Sequence, residues 1–448
     1  MPPPAVPRYS NFTVTGLFGS IYHDIELNQD SHVTILTGPN GCGKTHVLKL
    51  YRALLSLDIR SLMASPYSSA AITLSNGSKL SADRAEAGEL VLLDLRGMIP
   101  GSEPHHAPFS SADMPAESTE DDLPRHIHQV QDGRWIDTHT GRFLSPAYIE
   151  QRYGVQVSSE HLRTKIVAAN PWLKLLVPEE APILIDTKRL DTSLYSIPTR
   201  TVEPGSNIRV GLARAGAAGR IGEYIDQVRQ QITEARRESL IRSQEADEKF
   251  AATLLRRSRS TVKEEKLKAR YERLTAMHAE LNQSGLTGKA VAVQFPPTTN
   301  PTERRILNVF IEDWERKLAP LIPVNEKLKV LRRIINEKFV RKTLAFDRRG
   351  YMQFLSVNDV AVSVDQLSSG EQHLLALFTM LLFTAHPGSI VLIDEPEISL
   401  HAAWKHAFIE DLEQVAGISQ LSVIIATHSS AVINGRWDIV RELELPEQ

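Results

Sequence analysis

The chain has 448 residues, with 51 Lys and Arg against 54 Asp and Glu, a formal net charge of −3. That balance excludes a polycation that holds DNA by bulk charge, and leaves room only for a local basic groove. Hydrophobic residues at 42% and charged residues at 23% are ordinary globular usage, and the length allows about three domains. A single cysteine, Cys42, excludes an intrachain disulfide and fits a reducing, cytoplasmic location. The start, Met1 to Pro7, has no apolar stretch of the kind a signal peptide needs. The longest apolar run, Leu374 to Ala385, is shorter than the ~20 residues of a spanning helix, so no membrane is expected.

Tyr9 to Leu36 predicts strands: Ile21 to Leu27 alternates, and Val33-Thr34-Ile35-Leu36 is an apolar run that enters a glycine-rich turn. Val47 to Leu57 predicts a helix with Val47, Leu48, Leu50, Tyr51 and Leu54 inward. Ala70 to Leu74 and Lys79-Leu80 flank Asn76-Gly77, a hairpin signal, and Leu90 to Leu95 is a further strand. Gly101 to Pro124 is rich in Pro, Ser, His and acids without a period and reads as a mobile loop. Ala181 to Asp186 predicts a strand, and Pro204 to Gly219 a linker.

A long polar helical stretch is expected over Ile221 to Gln283, with Ile221, Ile225, Val228, Ile232 and Ala235, and then Leu267, Tyr271, Leu274, His278 and Leu281, at alternating spacings of three and four. A second runs from Thr302 to about Leu344, with Leu307, Phe310, Trp314 and Leu318 on one face. Two such stretches across a turn suggest an antiparallel helical hairpin. From Phe346 the α/β pattern returns: a hairpin across Arg349-Gly350, a buried helix Leu374 to Thr384, a strand Ile390 to Ile393, a helix Leu400 to Val415 and a strand Leu421 to Ala426. The expected fold class is therefore α/β, divided as 1–203, a helical insertion 204–345, and 346–448.

Gly38-Pro39-Asn40-Gly41-Cys42-Gly43-Lys44-Thr45 matches G-x-x-x-x-G-K-[ST] between an apolar strand and a helix. Glycines let backbone N–H groups wrap phosphates. Lys44 supplies a charge for the β- and γ-phosphates, Thr45 a hydroxyl for Mg²⁺, and the helix start, with His46 next in line, points at the anion. Cys42 reads as a small filler of this loop. Ile390 to Ile393 ends in Asp394 and Glu395. Asp394 suits Mg²⁺ through water, and Glu395 a general base that polarises the attacking water. Leu367-Ser368-Ser369-Gly370-Glu371-Gln372 opens a helix with a capping box, hydroxyls and bare N–H groups, which together form an anion site. Thr427-His428 follows the last strand.

Set between the other two motifs, Ser368 to Gln372 resembles the signature of ABC-type ATPases. That resemblance implies ATP and Mg²⁺ as ligands and implies that the signature of one copy completes the phosphate loop of another, so a homo-oligomer, at least a head-to-tail dimer, is expected. It also implies that His428 senses the γ-phosphate. More closely, Leu367 to His373, Ile393 to His401, Ala426 to Ser430 and Ile433 to Trp437, with Val14 to Gly19 and Ile185 to Leu190, resemble bacterial RecF/SMC-like ATPases of the AAA-15/AAA-21 group. The fold so implied is an ABC-type ATPase head, a phosphate-loop sheet with helices, split by the helical insertion. Members serve in two-gene antiphage systems, Septu and PARIS among them, and the compact chain looks most like the PARIS ATPase. The resemblance implies a separate nuclease-like effector and a phage-encoded trigger. Two departures stand out: His401 occupies a position where transporter ATPases carry Asp, and no glutamine of the usual Q-loop is identifiable, although Lys188 lies near its expected place.

His105-His106 and His126-x-His128 have no cysteine near them and read as solvated. Arg256-Arg257-Ser258-Arg259 precedes Glu264 and Glu265 and reads as a solvated helix face. Three functions compete: an antiphage sensor and scaffold that controls an effector, a repair or chromosome-maintenance ATPase that binds DNA between its helices, and a transporter subunit. The balanced charge of the insertion argues for weak DNA binding, and the insertion itself argues against a transporter.

Overall fold

A computed structural model describes residues 8–114, 123–124, 126–129, 135–138, 142–144, 149, 152, 159–185, 220–256, 262–288, 295–347, 349–398 and 400–445. The first part of the chain carries β1 (Tyr9–Leu17), β2 (Ile21–Glu26), β3 (Val33–Thr37), α1 (Lys44–Ser56), α2 (Ile59–Ala64), β4 (Ser69–Leu74), β5 (Lys79–Ala87), β6 (Leu90–Met98) and β7 (His105–Ser110). The short strands β8 (Ile127–Gln129), β9 (Trp135–Asp137) and β10 (Arg142–Leu144) follow, then α3 (Ser159–Ala169) and β11 (Ile183–Ile185). The middle holds α4 (Arg220–Arg256), α5 (Glu264–Gln283), α6 (Pro301–Leu318) and α7 (Leu321–Lys338). The last part holds β12 (Lys342–Phe346), β13 (Met352–Ser356), β14 (Ala361–Val362), α8 (Ser369–Thr379), β15 (Ile390–Asp394), α9 (Phe408–Ser419), β16 (Ser422–Ala426), α10 (Ser430–Ile433) and β17 (Val440–Glu442).

The chain forms two compact units, each discontinuous in sequence. The first comprises residues 1–189, 387–409 and 420–448. Its five-stranded sheet runs β11-β15-β16-β3-β17, with every neighbouring pair parallel. β3, β15 and β16 each bury four consecutive residues, the pattern of parallel strands covered on both faces. An antiparallel sheet, β2-β1-β4-β5-β6-β7, carries the alternating strands, of which β2 buries every second residue. Phe12, Leu36, Leu48, Leu54, Ile72 and Leu392 share one apolar core, with Phe12 edge-on to Tyr51 at 5.1 Å. The five residues expected to face inward on α1 are all buried. The turn at Asn76-Gly77 joins β4 to β5 as expected, with Gly77 at φ +82°.

The expected mobile loop over Gly101 to Pro124 is corrected in part, because β7 adds an edge strand to β6. Pro108, which has no N–H to donate, hid this strand from the sequence pattern, and an edge is where a strand tolerates proline. His105 stacks on Trp172 at 5.4 Å and so is not simply solvated, whereas His106 is exposed as expected and lies 3.4 Å from Asp94. The expected linker Pro204 to Gly219 lies outside the described residues, as do Asp186 and Lys188.

The second unit comprises residues 190–386 and 410–419. Its insertion is helical as expected, and each of the two predicted stretches divides into two helices. The second divides at Ala319-Pro320, and its last residues form β12, which pairs with β13 across Arg349-Gly350. α4 packs on α6, α7 and α8, and α5 packs on α6. α6 therefore meets helices on two sides. Val309 and Ile311 are buried, whereas Phe310, on the expected face beside Trp314, is exposed. The predicted buried helix Leu374 to Thr384 is α8 continued by a π-helical turn, Met380–Thr384. The predicted helix from Leu400 begins as a 3₁₀ turn, Ala402–Ala407, and becomes α-helical at Phe408. No helix among the described residues is long and apolar enough to cross a membrane.

Candidate functional site

Three adjacent strands of the parallel sheet bring most of the predicted site residues to one edge of the first unit. β15 pairs with β16 as far as Asp394↔Ala426, and β16 pairs with β3 as far as Ala426↔Leu36. The Thr427 N–H donates to the Leu36 carbonyl at 3.0 Å. The loop 38–45, the acids Asp394 and Glu395, and His428 thus all leave the carboxyl ends of neighbouring strands, where open α/β sheets bind their ligands.

The loop needs its glycines sterically. A Cβ on Gly38, at φ +150°, would lie 2.4 Å from the Leu443 carbonyl oxygen, and one on Gly43, at φ +93°, would lie 2.6 Å from Leu17. Gly43 caps α1 without a side-chain hydrogen bond, so the first N–H groups of α1 remain available to an anion. Pro39, Asn40 and Gly41 are exposed, while Cys42 is fully buried, as a loop filler should be. The Cys42 carbonyl is held by His23 Nε2 at 2.7 Å. Lys44 is buried, and its Nζ donates to the Gly38 and Pro39 carbonyls at 2.9 and 3.1 Å, which places the ammonium inside the loop. His46 lies edge-on to Phe18 at 4.8 Å. Its pKa is held below the usual histidine value by burial and then by Lys49, against the opposing pull of Asp394.

Thr45 Oγ1 donates to Asp394 Oδ1 at 3.2 Å, across 349 residues of sequence. A hydroxyl and a carboxylate, both hard oxygen donors, fit Mg²⁺, which takes few protein ligands and fills its shell with phosphate and water. Glu395 sits in the left-handed region at φ +47°, with its N–H on the Ala426 carbonyl at 2.9 Å. A non-glycine residue held there marks a strained position of the kind that gathers at active sites.

Glu397 is the residue to which the sequence pattern gave no role. It lies in the 3₁₀ turn Pro396–Ile398 and is buried. Its Oε1 accepts the Thr427 hydroxyl at 2.7 Å and the His428 N–H at 3.2 Å, and lies 3.1 Å from His428 Nδ1. Its spacing two residues after Glu395 was the one signal available.

Ser368, Ser369, Gly370 and Glu371 belong to the second unit. Ser368 caps α8: its Oγ accepts the Glu371 N–H at 3.3 Å, and Glu371 Oε2 accepts the Ser368 N–H and hydroxyl at 2.7 and 2.9 Å. Lys342 Nζ donates to both Glu371 oxygens at 2.8 Å. Burial pushes the Glu371 carboxyl up, but Lys342 and Ser368 together outweigh it and hold the group below the usual carboxylate range. Ser368 and Ser369 remain exposed. His401 accepts the Ala403 N–H at 3.3 Å and so caps the turn that leads into α9. Arg256 ends α4, and Arg257, Ser258 and Arg259 lie outside the described residues.

A parallel sheet that carries a glycine loop, a helix start and paired acids at its strand ends defines the phosphate-loop class of α/β proteins. Within that class, the family model described as "AAA domain, putative AbiEii toxin, Type IV TA system" matches residues 185–434, and the chain belongs to that family. Among solved structures, the chain is similar to an Smc head domain with an extended coiled coil bound to the C-terminal domain of ScpA from Pyrococcus furiosus, at 11% identity and TM-score 0.33, over 95% of this chain and 91% of that one. It is similar to the SMC head domain from Thermotoga maritima at 12% identity and TM-score 0.32, over 97% and 94% of the two chains. No curated protein sequence matches.

Proposed function

We propose that the protein binds ATP with Mg²⁺ at the loop Gly38–Thr45 and hydrolyses it, and that it works as the ATPase sensor and scaffold of an antiphage system that controls a separate nuclease-type effector. The observation that carries the ATPase reading is the 3.2 Å bond from Thr45 to Asp394, which joins the phosphate loop to the acid pair. In this reading Lys44 leaves its carbonyl partners to meet the β- and γ-phosphates, and the N–H groups at the start of α1 bind the phosphate oxygens. Thr45 and Asp394 would hold Mg²⁺, which supplies charge neutralisation at the phosphates. Glu395 takes a proton from the attacking water, and His428 contacts the γ-phosphate. The exposed Ser368 and Ser369, with Gly370, bind the same phosphate from a second copy, which makes the working form a homo-oligomer.

The defence reading is supported by the sequence resemblance and by a family description that names a TA system. The test is to tag the protein in its native operon, purify it, assay Mg²⁺-dependent ATP hydrolysis and challenge the cells with phage. Hydrolysis, co-purification of a nuclease-like neighbour, and loss of phage resistance with Glu395→Gln are expected. Hydrolysis with tight, ATP-dependent duplex DNA binding and no protein partner would replace the defence reading with the repair one.

A further inference from the structure

We propose that Glu397 is the positioning residue of His428: a buried carboxylate that fixes the histidine's tautomer and ties it to the turn that carries Glu395. The inference rests on the ATPase reading above.

The geometry is asymmetric in a way a loop tie does not require. The Glu397 side chain is 5% exposed and the His428 side chain 51%, an interior anchor beneath an accessible ring. One carboxylate oxygen, Oε1, accepts the Thr427 hydroxyl and the His428 backbone N–H, and His428 Nδ1 lies 3.1 Å from it. The other, Oε2, is buried with no hydrogen-bond partner among the described residues. A neutral amide or hydroxyl could tie down the loop without burying an unpaired carboxylate oxygen, and an orphan of this kind calls for a role. An ionised carboxylate only accepts, so a hydrogen bond across the 3.1 Å between Oε1 and Nδ1 would put the ring hydrogen on Nδ1. Nε2 is thereby left as the working nitrogen, its tautomer set by the bond the other nitrogen makes. An acid that orients a histidine from behind serves the same purpose in nucleophilic triads.

The same turn reaches the acid pair. The Ile398 N–H donates to the Glu395 carbonyl at 3.2 Å, and the Glu395 N–H donates to the Ala426 carbonyl at 2.9 Å, one residue before Thr427. Glu395 and His428 are therefore set in one hydrogen-bonded frame, and Glu397 is its side-chain link. Thr427 extends the frame: the oxygen that donates to Glu397 also accepts the Ser429 N–H at 3.0 Å, just ahead of α10.

The experiment compares Glu397→Ala, Glu397→Gln, His428→Ala and the double variant Glu397→Ala/His428→Ala in the full chain. Loss of an orienting partner should lower kcat about 10- to 100-fold, with the KM for ATP little changed. Glu397→Gln, which keeps an acceptor oxygen, should recover most of that turnover. In the His428→Ala background, Glu397→Ala should cost nothing further, because a positioning residue acts only through the group it positions. Two-bond ¹⁵N–¹H spectra, with His428 assigned from its missing signal in His428→Ala, should show the Nδ1–H tautomer in the wild type and a mixture in the variant. Equal losses of kcat in both backgrounds, or an unchanged tautomer in Glu397→Ala, would overturn the proposal. If Glu397→Ala does not fold, Glu397→Gln carries both readouts: a wild-type tautomer with full kcat supports the assignment, and a folded Gln variant with a collapsed kcat and the wild-type tautomer overturns it. A wild-type protein without ATPase activity would remove the function proposed above, and the tautomer would still decide for or against Glu397.

Discussion

Lys342→Met isolates the contact that holds the signature segment. The ammonium donates to both oxygens of Glu371 at 2.8 Å, with the Glu371 side chain 9% exposed and the lysine 24% exposed. Removing one partner of a fully buried pair costs about 3–5 kcal/mol, whereas exposed pairs are worth about 0–1 kcal/mol. With the acid buried and the lysine within reach of water, about 2 kcal/mol is expected, a factor of roughly 30 in the local opening equilibrium. Hydrogen exchange of the peptide that spans α8 should therefore quicken about 30-fold at pH 7. The pH dependence has a definite sign. The Glu371 carboxyl is held below its ordinary value, so its stabilisation is complete above the unfolded value of about 4.3 and is lost as pH falls through the lower folded value. The difference in thermal midpoint between wild type and Lys342→Met should accordingly hold from pH 7 to 5 and shrink on further acidification. An exchange change under about threefold, or a midpoint difference that persists unchanged to pH 3, would refute the reasoning.

Lys44→Ala should abolish ATP binding or turnover, checked by titration calorimetry with ATP and Mg²⁺; unchanged affinity together with unchanged hydrolysis would count against the loop assignment. Glu395→Gln should bind ATP yet hydrolyse it about 10²-fold or more slowly, as expected for loss of a general base, and wild-type turnover would remove that role. Gly38→Ala places a methyl 2.4 Å from the Leu443 carbonyl and should lower the melting midpoint and weaken nucleotide binding together; a variant with both intact would show that the loop tolerates a side chain there. Mass photometry of Glu395→Gln with ATP should show assembly of two or more chains, and only monomers would oppose a site completed by the Ser368–Gly370 segment.

The elements that announced themselves in the sequence were those whose apolar pattern and end signals agree. β3, β15 and β16 read as short buried runs, and each ends in the chemistry it now presents at one sheet edge. The Thr45–Asp394 bond spans 349 residues, so no local pattern carried it; only the pairing of two motifs implied it. Glu397 escaped because a carboxylate beside two better-known acids has no distinctive spacing, and its partners lie on another strand. Lys342 escaped because the helical periodicity seemed to run through it, whereas the chain turns at Arg341, φ +61°, into β12. β7 was masked by its histidines and proline, which an edge strand accepts and a central strand would not.

The order of strands in the parallel sheet bears on how the molecule is made. β3, at Val33–Thr37, is made long before its two sheet neighbours, β16 and β17, which end at Ala426 and Glu442. The Leu443 N–H bonds to the Thr37 carbonyl at 2.8 Å, and its own carbonyl lies against Gly38. While the intervening chain is made, therefore, Val33, Ile35 and Leu36 wait without the strands that flank them. Pairings over such sequence separations are slow to form and prone to aggregation. A nascent chain cut short before residue 440 keeps the complete loop sequence and lacks the Leu443 backbone that lies against it. Closure of the loop against Leu443 therefore waits until the chain has been made through residue 443.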